Sequence, residues 1–150
     1  MPKVSIASPQ ELVPIDRPRL REIVRLVLAE EDIRDYEISL AFVDNPTIHR
    51  INKQFLDHDE PTDVITFPYS AGKVLVGELV IGVEVAMEQA RAGGHAVDAE
   101  LALYVVHGLL HLVGYDDKSF TKAIKMREAE RHHLAALGLP DIAPKLKKRK

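Results

Sequence analysis

At 150 residues, with 46% hydrophobic and 29% charged side chains, the chain has the length and composition of one globular domain with a substantial core. It contains no cysteine, which excludes disulfides and thiolate metal sites, so a transition-metal site must be built from histidine and carboxylate. The formal charge of −3 is uneven: Lys145, Lys147, Lys148, Arg149 and Lys150 close the chain and leave the preceding body at −8, which argues against a long basic track for a polyanion.

Residues 1–144 are expected to form the domain and 145–150 a disordered, solvated basic tail. The N-terminus lacks a charged segment leading into an apolar core, and no apolar run approaches the roughly 18 residues of a membrane span, so a cytoplasmic protein with no membrane contact is expected. Val4 to Ala7 reads as a short strand ended by Ser8-Pro9. From Arg17, Leu20, Ile23, Val24, Val27 and Leu28 recur at helical spacing, with Pro18 suited to the first turn. Ile38, Leu40 and Phe42 alternate with smaller or polar residues as a strand does, and Asn45 is the expected cap of the helix that follows, carrying Ile48, Ile51 and Phe55.

The polar loop Asp57-His58-Asp59-Glu60-Pro61-Thr62 precedes a short strand, Asp63 to Phe67, which Pro68 assigns to a sheet edge. A second strand-like run extends from Val74 to Ile81. A helix over Val85 to Ala92 stops at Gly93-Gly94, and Asp98 is the expected cap of the next. That helix carries apolar residues nearly all round, which places it at the centre of the domain. Ser119 opens a last helix with Phe120, Ile124, Leu134 and Leu137 inward and with His132 and His133 on its exposed side. Strands and helices are intermixed, so the expected architecture is α+β: one domain, a small mixed sheet packed with helices, and a metal cleft on the central helix.

His107 and His111, four apart in the central helix, leave the same face, and Gly114 lets the chain fold back so that Asp117 returns toward them. Two nitrogens and one oxygen suit a single zinc ion. Two readings stand for each part: the histidines are ligands or core residues hydrogen-bonded to backbone or to each other, and Asp117 is a ligand or caps or favours the positive end of the last helix. Gly108 stands where an H-E-x-x-H protease needs its glutamate, which argues against proteolysis by that route.

The segment His107-Gly108-Leu109-Leu110-His111-Leu112-Val113-Gly114-Tyr115-Asp116 resembles the signature of the YbeY family of bacterial endoribonucleases. Pro61-Thr62-Asp63-Val64-Ile65-Thr66-Phe67-Pro68 and Gly77-Glu78-Leu79-Val80-Ile81 are similar to two further blocks of that family, and the resemblance spans most of residues 38–138. It implies one α+β domain with a zinc cleft and a role in ribosomal RNA processing. The family places a third histidine where this chain has Asp117, and many members an arginine where it has Leu56; Arg50 and Lys53 are the cations nearest in sequence.

The resulting expectation is a zinc-dependent, single-strand-specific endoribonuclease acting in 16S ribosomal RNA 3′ end maturation and ribosome quality control. One ion would be held by His107, His111 and Asp117, with His58, Asp59 and Glu78 as candidates for proton transfer. Its partners would be single-stranded and ribosomal RNA, the small subunit and assembly factors. The alternative is a non-catalytic ribosome-assembly factor, binding RNA or ribosomal proteins, in which the metal is structural.

Overall fold

The computed structural model describes residues 2–70 and 72–144, so the basic tail 145–150 lies outside the described residues. In chain order the elements are β1 (Lys3–Ala7), α1 (Arg17–Glu30), β2 (Tyr36–Val43), α2 (Asn45–Leu56), β3 (Val64–Pro68), β4 (Leu75–Gly82), α3 (Val83–Gly93), α4 (Val97–Val113) and α5 (Phe120–Ala136). The four strands form one sheet in the order β1-β2-β4-β3, with β1, β2 and β4 parallel and β3 antiparallel to β4. This is the mixed sheet of an α+β domain, and β3 lies at its edge, where Pro68 is tolerated because one side of the strand has no ladder to complete.

Parallel neighbours need long connections, and the chain supplies them with helices. α1 links β1 to β2, while α2 and β3 together link β2 to β4. α1 and α4 cover one face of the sheet in the main core, and Ile48 of α2 packs with Ile65 and Val80 on the other.

α4 sits against β4 by a reciprocal fit. A Cβ at Gly108 would lie 2.7 Å from Leu79 Cδ2, and one at Gly77 would lie 2.6 Å from Leu112 Cδ2, so each element offers a glycine to the other's leucine. Leu79 and Leu109 have no exposed surface. α4 is buried on nearly every side from Ala99 to Leu110, as its composition requires.

Several local expectations are corrected. Asp44, not Asn45, caps α2: its carboxylate accepts from the Thr47 N–H at 3.0 Å, while the Asn45 N–H donates to Glu84 at 2.9 Å. Asp is as good a cap as Asn, and Pro46 is then accommodated one position further into the first turn. Asp98 does not cap α4; Ala96 holds that position, and Asp98 lies in the first turn with Glu100, favourably placed toward the positive end of the helix. Phe120 is 51% exposed rather than inward, because the inward stripe of α5 begins at Ala123 and Met126. His133 is buried, since α5 packs its ring against the end of α1, where its Nε2 lies 2.8 Å from Glu31.

The interlock predicts non-additive stability. Leu79→Ala lowers unfolding free energy by about 2–5 kcal/mol through the cavity it opens. Gly108→Ala in the native background forces Leu79 to move, whereas in the Leu79→Ala background the new methyl fills vacated space and gains up to about 1 kcal/mol of helix propensity. Urea unfolding of the four proteins checks this; equal effects of Gly108→Ala in both backgrounds would show that the two residues are not fitted to each other.

Candidate metal centre

The site is assembled at the C-terminal end of α4. Gly114 adopts φ +116°, its N–H bonding His111 O at 3.1 Å and the Tyr115 N–H bonding Leu110 O at 3.0 Å, which ends the helix and reverses the chain. His107, His111 and Asp117 then converge: one ligand atom from each lies within 4.8 Å of the others. The two imidazoles are half-buried and the carboxylate is exposed. The helix-cap alternative for Asp117 falls to Ser119, whose hydroxyl accepts from the Lys122 N–H at 3.1 Å, and Asp116 makes the local turn contact to the Lys118 N–H at 3.1 Å.

The histidine nitrogens are set for a shared ion. Their Nε2 atoms are 3.1 Å apart, and two nitrogens bound at about 2.0–2.1 Å with a tetrahedral angle lie roughly 3.3 Å from each other. His107 Nδ1 meets Glu130 Oε2, a carboxylate with no exposed surface. An ionised carboxylate accepts only, so Nδ1 carries the proton and the lone pair of Nε2 points to the ligand position. The other Glu130 oxygen lies 3.1 Å from Arg127 Nε, and Arg127 Nη2 stands 3.3 Å from His107 Nδ1. Glu130 is therefore compensated by two cationic or donor groups, as a buried carboxylate must be.

Burial pushes the His111 pKa down, and the adjacent His107 adds to this, against opposing contributions from Asp117, Glu130 and the Tyr115 backbone. The neutral ring that binds metals is thereby favoured over the charged one. A cleft of about 630 Å³ opens beside His107, lined by Thr62 and Asp63 ahead of β3, Tyr104 of α4, and Arg127 and Glu130 of α5.

None of the three candidates for proton transfer lines the cleft beside His107. Glu78 lies between Gly77 and Leu79, which face α4, so it projects from the opposite face of the sheet, where its charge adds to burial in raising the Tyr69 pKa. Asp59 is engaged on α2, 2.7 Å from His49 and 3.9 Å from Lys53, and the His49 hydrogen bond followed by Lys53 holds its pKa low. His58 is exposed at the end of α2, its N–H bonding Asn52 O at 3.2 Å. Sequence reasoning missed Glu130 and Arg127. The available signal was a glutamate at helical spacing from the apolar residues Ala123, Met126 and Leu134 of the inward stripe.

Removing the charge that orients His107 should weaken the site without removing a ligand. Glu130→Gln is expected to lower metal affinity about 10–100-fold in a chelator competition, and unchanged affinity would show that Glu130 does not support the ligand set. The metal-free protein should also lose stability as pH falls below the ordinary histidine pKa of about 6.5, since the unfolded chain then binds a proton that folded His111 resists. His111→Gln should flatten that part of the stability–pH curve, and an unaltered slope would assign it to other groups.

The family model described as Endoribonuclease YbeY matches residues 5–138. An Endoribonuclease YbeY from Carboxydothermus hydrogenoformans is 40% identical over 139 residues, covering 89% of this chain and 96% of its own. One from Chlorobium phaeovibrioides is 38% identical over 120 residues, covering 80% and 81%. The solution structure of TM1509 from Thermotoga maritima superimposes with a TM-score of 0.60 at 26% identity, covering 97% of this chain and 99% of that one. With the family matched along nearly its whole length and the ligand-forming helix and loop inside that match, the chain belongs to the endoribonuclease YbeY family.

Proposed function

We propose that this chain is a zinc-dependent endoribonuclease specific for single-stranded RNA, acting in the cytoplasm on ribosomal RNA, at the 3′ end of the 16S species and in ribosome quality control. The observation that carries the reading is the convergence of His107 Nε2 and His111 Nε2, 3.1 Å apart, with the Asp117 carboxylate in a family of endoribonucleases. Two imidazoles and a carboxylate, with no thiolate, suit zinc and leave a fourth position for water or substrate. An ion held there supplies Lewis-acid polarisation of a phosphoryl oxygen.

The chain's own groups have separable tasks. Glu130 holds the proton of the neutral His107 ring on Nδ1, which leaves the lone pair of Nε2 facing the ligand position. Arg127, with its side chain 14% exposed, lines the cleft and turns a fixed positive charge toward an entering phosphodiester. It offers the cation that Leu56 lacks, from a helix far away in sequence. Arg50 and Lys53 stand exposed on α2 and are absent from the cleft lining. Asp117 makes the ligand set more negative than three imidazoles would, which lowers the attraction for phosphate and makes Arg127 correspondingly more important.

Metal analysis of protein purified without added zinc, paired with cleavage of labelled single-stranded and duplex RNA, tests the proposal. Wild type should carry zinc and cut the single strand in preference to the duplex, and His107→Ala and Asp117→Ala should lose metal and activity together. Arg127→Lys should keep its metal but lose about 10²-fold in kcat, on the scale of removing one oriented donor to the transition state. A wild-type chain that cannot be loaded with metal defeats the reading; a loaded chain that never cleaves returns the site to the structural metal of a ribosome-assembly factor.

A further inference from the structure

The sheet face away from the metal centre carries a row of aromatic rings that the site does not use. Phe55, at the end of α2, meets Phe67 of β3 edge-on with 5.5 Å between centroids, and Phe67 lies parallel to Tyr69 within 8°, 6.5 Å away. The latter spacing is close to the two-residue repeat of a strand, about 6.6 Å, as expected for side chains on one face. Phe55 and Tyr69 are each 59% exposed, and Leu56 beside them is 48% exposed. Aromatic residues make up 5% of the chain, so a cluster of three in which two face solvent is a concentrated apolar surface.

From this we infer that Phe55, Phe67 and Tyr69 form a stacking platform for the bases of single-stranded RNA, which runs along the β3 edge into the cleft. The inference rests on the endoribonuclease reading and adds how the substrate is held. Continuity of the β3 edge with the cleft, rather than charge, selects RNA here: Asp57, Asp59 and Glu60 follow the Phe55 end of α2 directly. α2 contains Arg50, Lys53 and His49 and no carboxylate within its 12 residues, in a body that is otherwise acidic. Asp59 is paired with His49 at 2.7 Å and lies 3.9 Å from Lys53.

The placement also connects to the cleft. Ile65 and Phe67 share the α2 face of β3, and Thr62 and Asp63, just ahead of β3, line the cleft beside His107. From Asp63 to Tyr69 the extended chain covers about 20 Å, a span of several nucleotides. Stacking requires an unpaired base with both faces open, so this surface selects single strands, and with few cations involved its affinity depends only weakly on salt.

The test is anisotropy titration of a labelled single-stranded RNA of ten nucleotides against the full chain carrying His107→Ala, which separates binding from cleavage. Phe55→Leu and Tyr69→Leu keep apolar bulk at exposed positions but remove a ring, and each should weaken binding roughly tenfold; Tyr69→Phe should bind as the parent does. Tyr69→Trp, in a chain with no other tryptophan, should show emission quenched by the single strand and unaffected by a duplex of the same sequence. Leucine variants that bind like the parent, or quenching by the duplex equal to that by the single strand, overturn the platform and leave the surface to a different partner. Failure of metal-loaded wild type to cleave, with the binding losses intact, defeats the nuclease reading and leaves the platform standing.

Discussion

The close approach of α4 to β4 is the constraint on which the rest of the structure depends. Two glycines, one on each element, admit two leucines, and the helix is thereby fixed in depth, register and rotation at once. Rotation matters most. With Gly108 and Leu112 turned into the sheet, His107 and His111 lie roughly a quarter turn round the helix, half-buried beside the core, with His107 lining the cleft. A side chain at position 108 would meet the end of Leu79 and force that buried leucine out of its place. The residue that distinguishes this motif from the metalloprotease one is therefore a packing residue as well as a missing base.

α5 completes what α4 begins. Its buried stripe contains Glu130 and His133, two polar groups that would destabilise a simple apolar interface without partners. Each finds one on a different neighbouring helix. Glu130 joins His107 and Arg127 at the cleft, and His133 joins Glu31 at the end of α1. Glu31 also lies close enough to Tyr115, in the loop between α4 and α5, to add to burial in raising the pKa of its hydroxyl. Such networks do more for geometry than for net stability, because much of the Coulombic gain offsets desolvation.

The parts legible in the sequence were those with local periodicity. Four-residue spacing located His107 and His111 on one helical face; Gly114 marked the reversal; Pro68 marked the sheet edge. Relations between distant segments were not legible. Glu130 meets His107 across 23 residues, and His133 meets Glu31 across 102, so neither pairing leaves a trace in any short window. His133 was read as exposed because the flanking charges of α5 suggest a solvated face, and only the docking of α1 reveals otherwise. Alternation along β4 could have separated Glu78 from the histidines once the facing of Gly77 and Leu79 was known, but facing requires the partner helix.

The loop carrying Asp117 has a consequence for how the molecule comes apart. Its two ends belong to α4, which lies at the centre of the core, and to α5, which follows every other element and docks from outside. Partial unfolding that releases α5 removes Glu130 from His107 and frees the loop in one event, while the sheet and α4 remain. An ion that binds only the docked arrangement raises the free energy of that opening by mass action. An ion held by His107, His111 and Asp117 would thus join its own occupancy to the attachment of the last helix, as a clasp closing the C-terminal quarter of the domain.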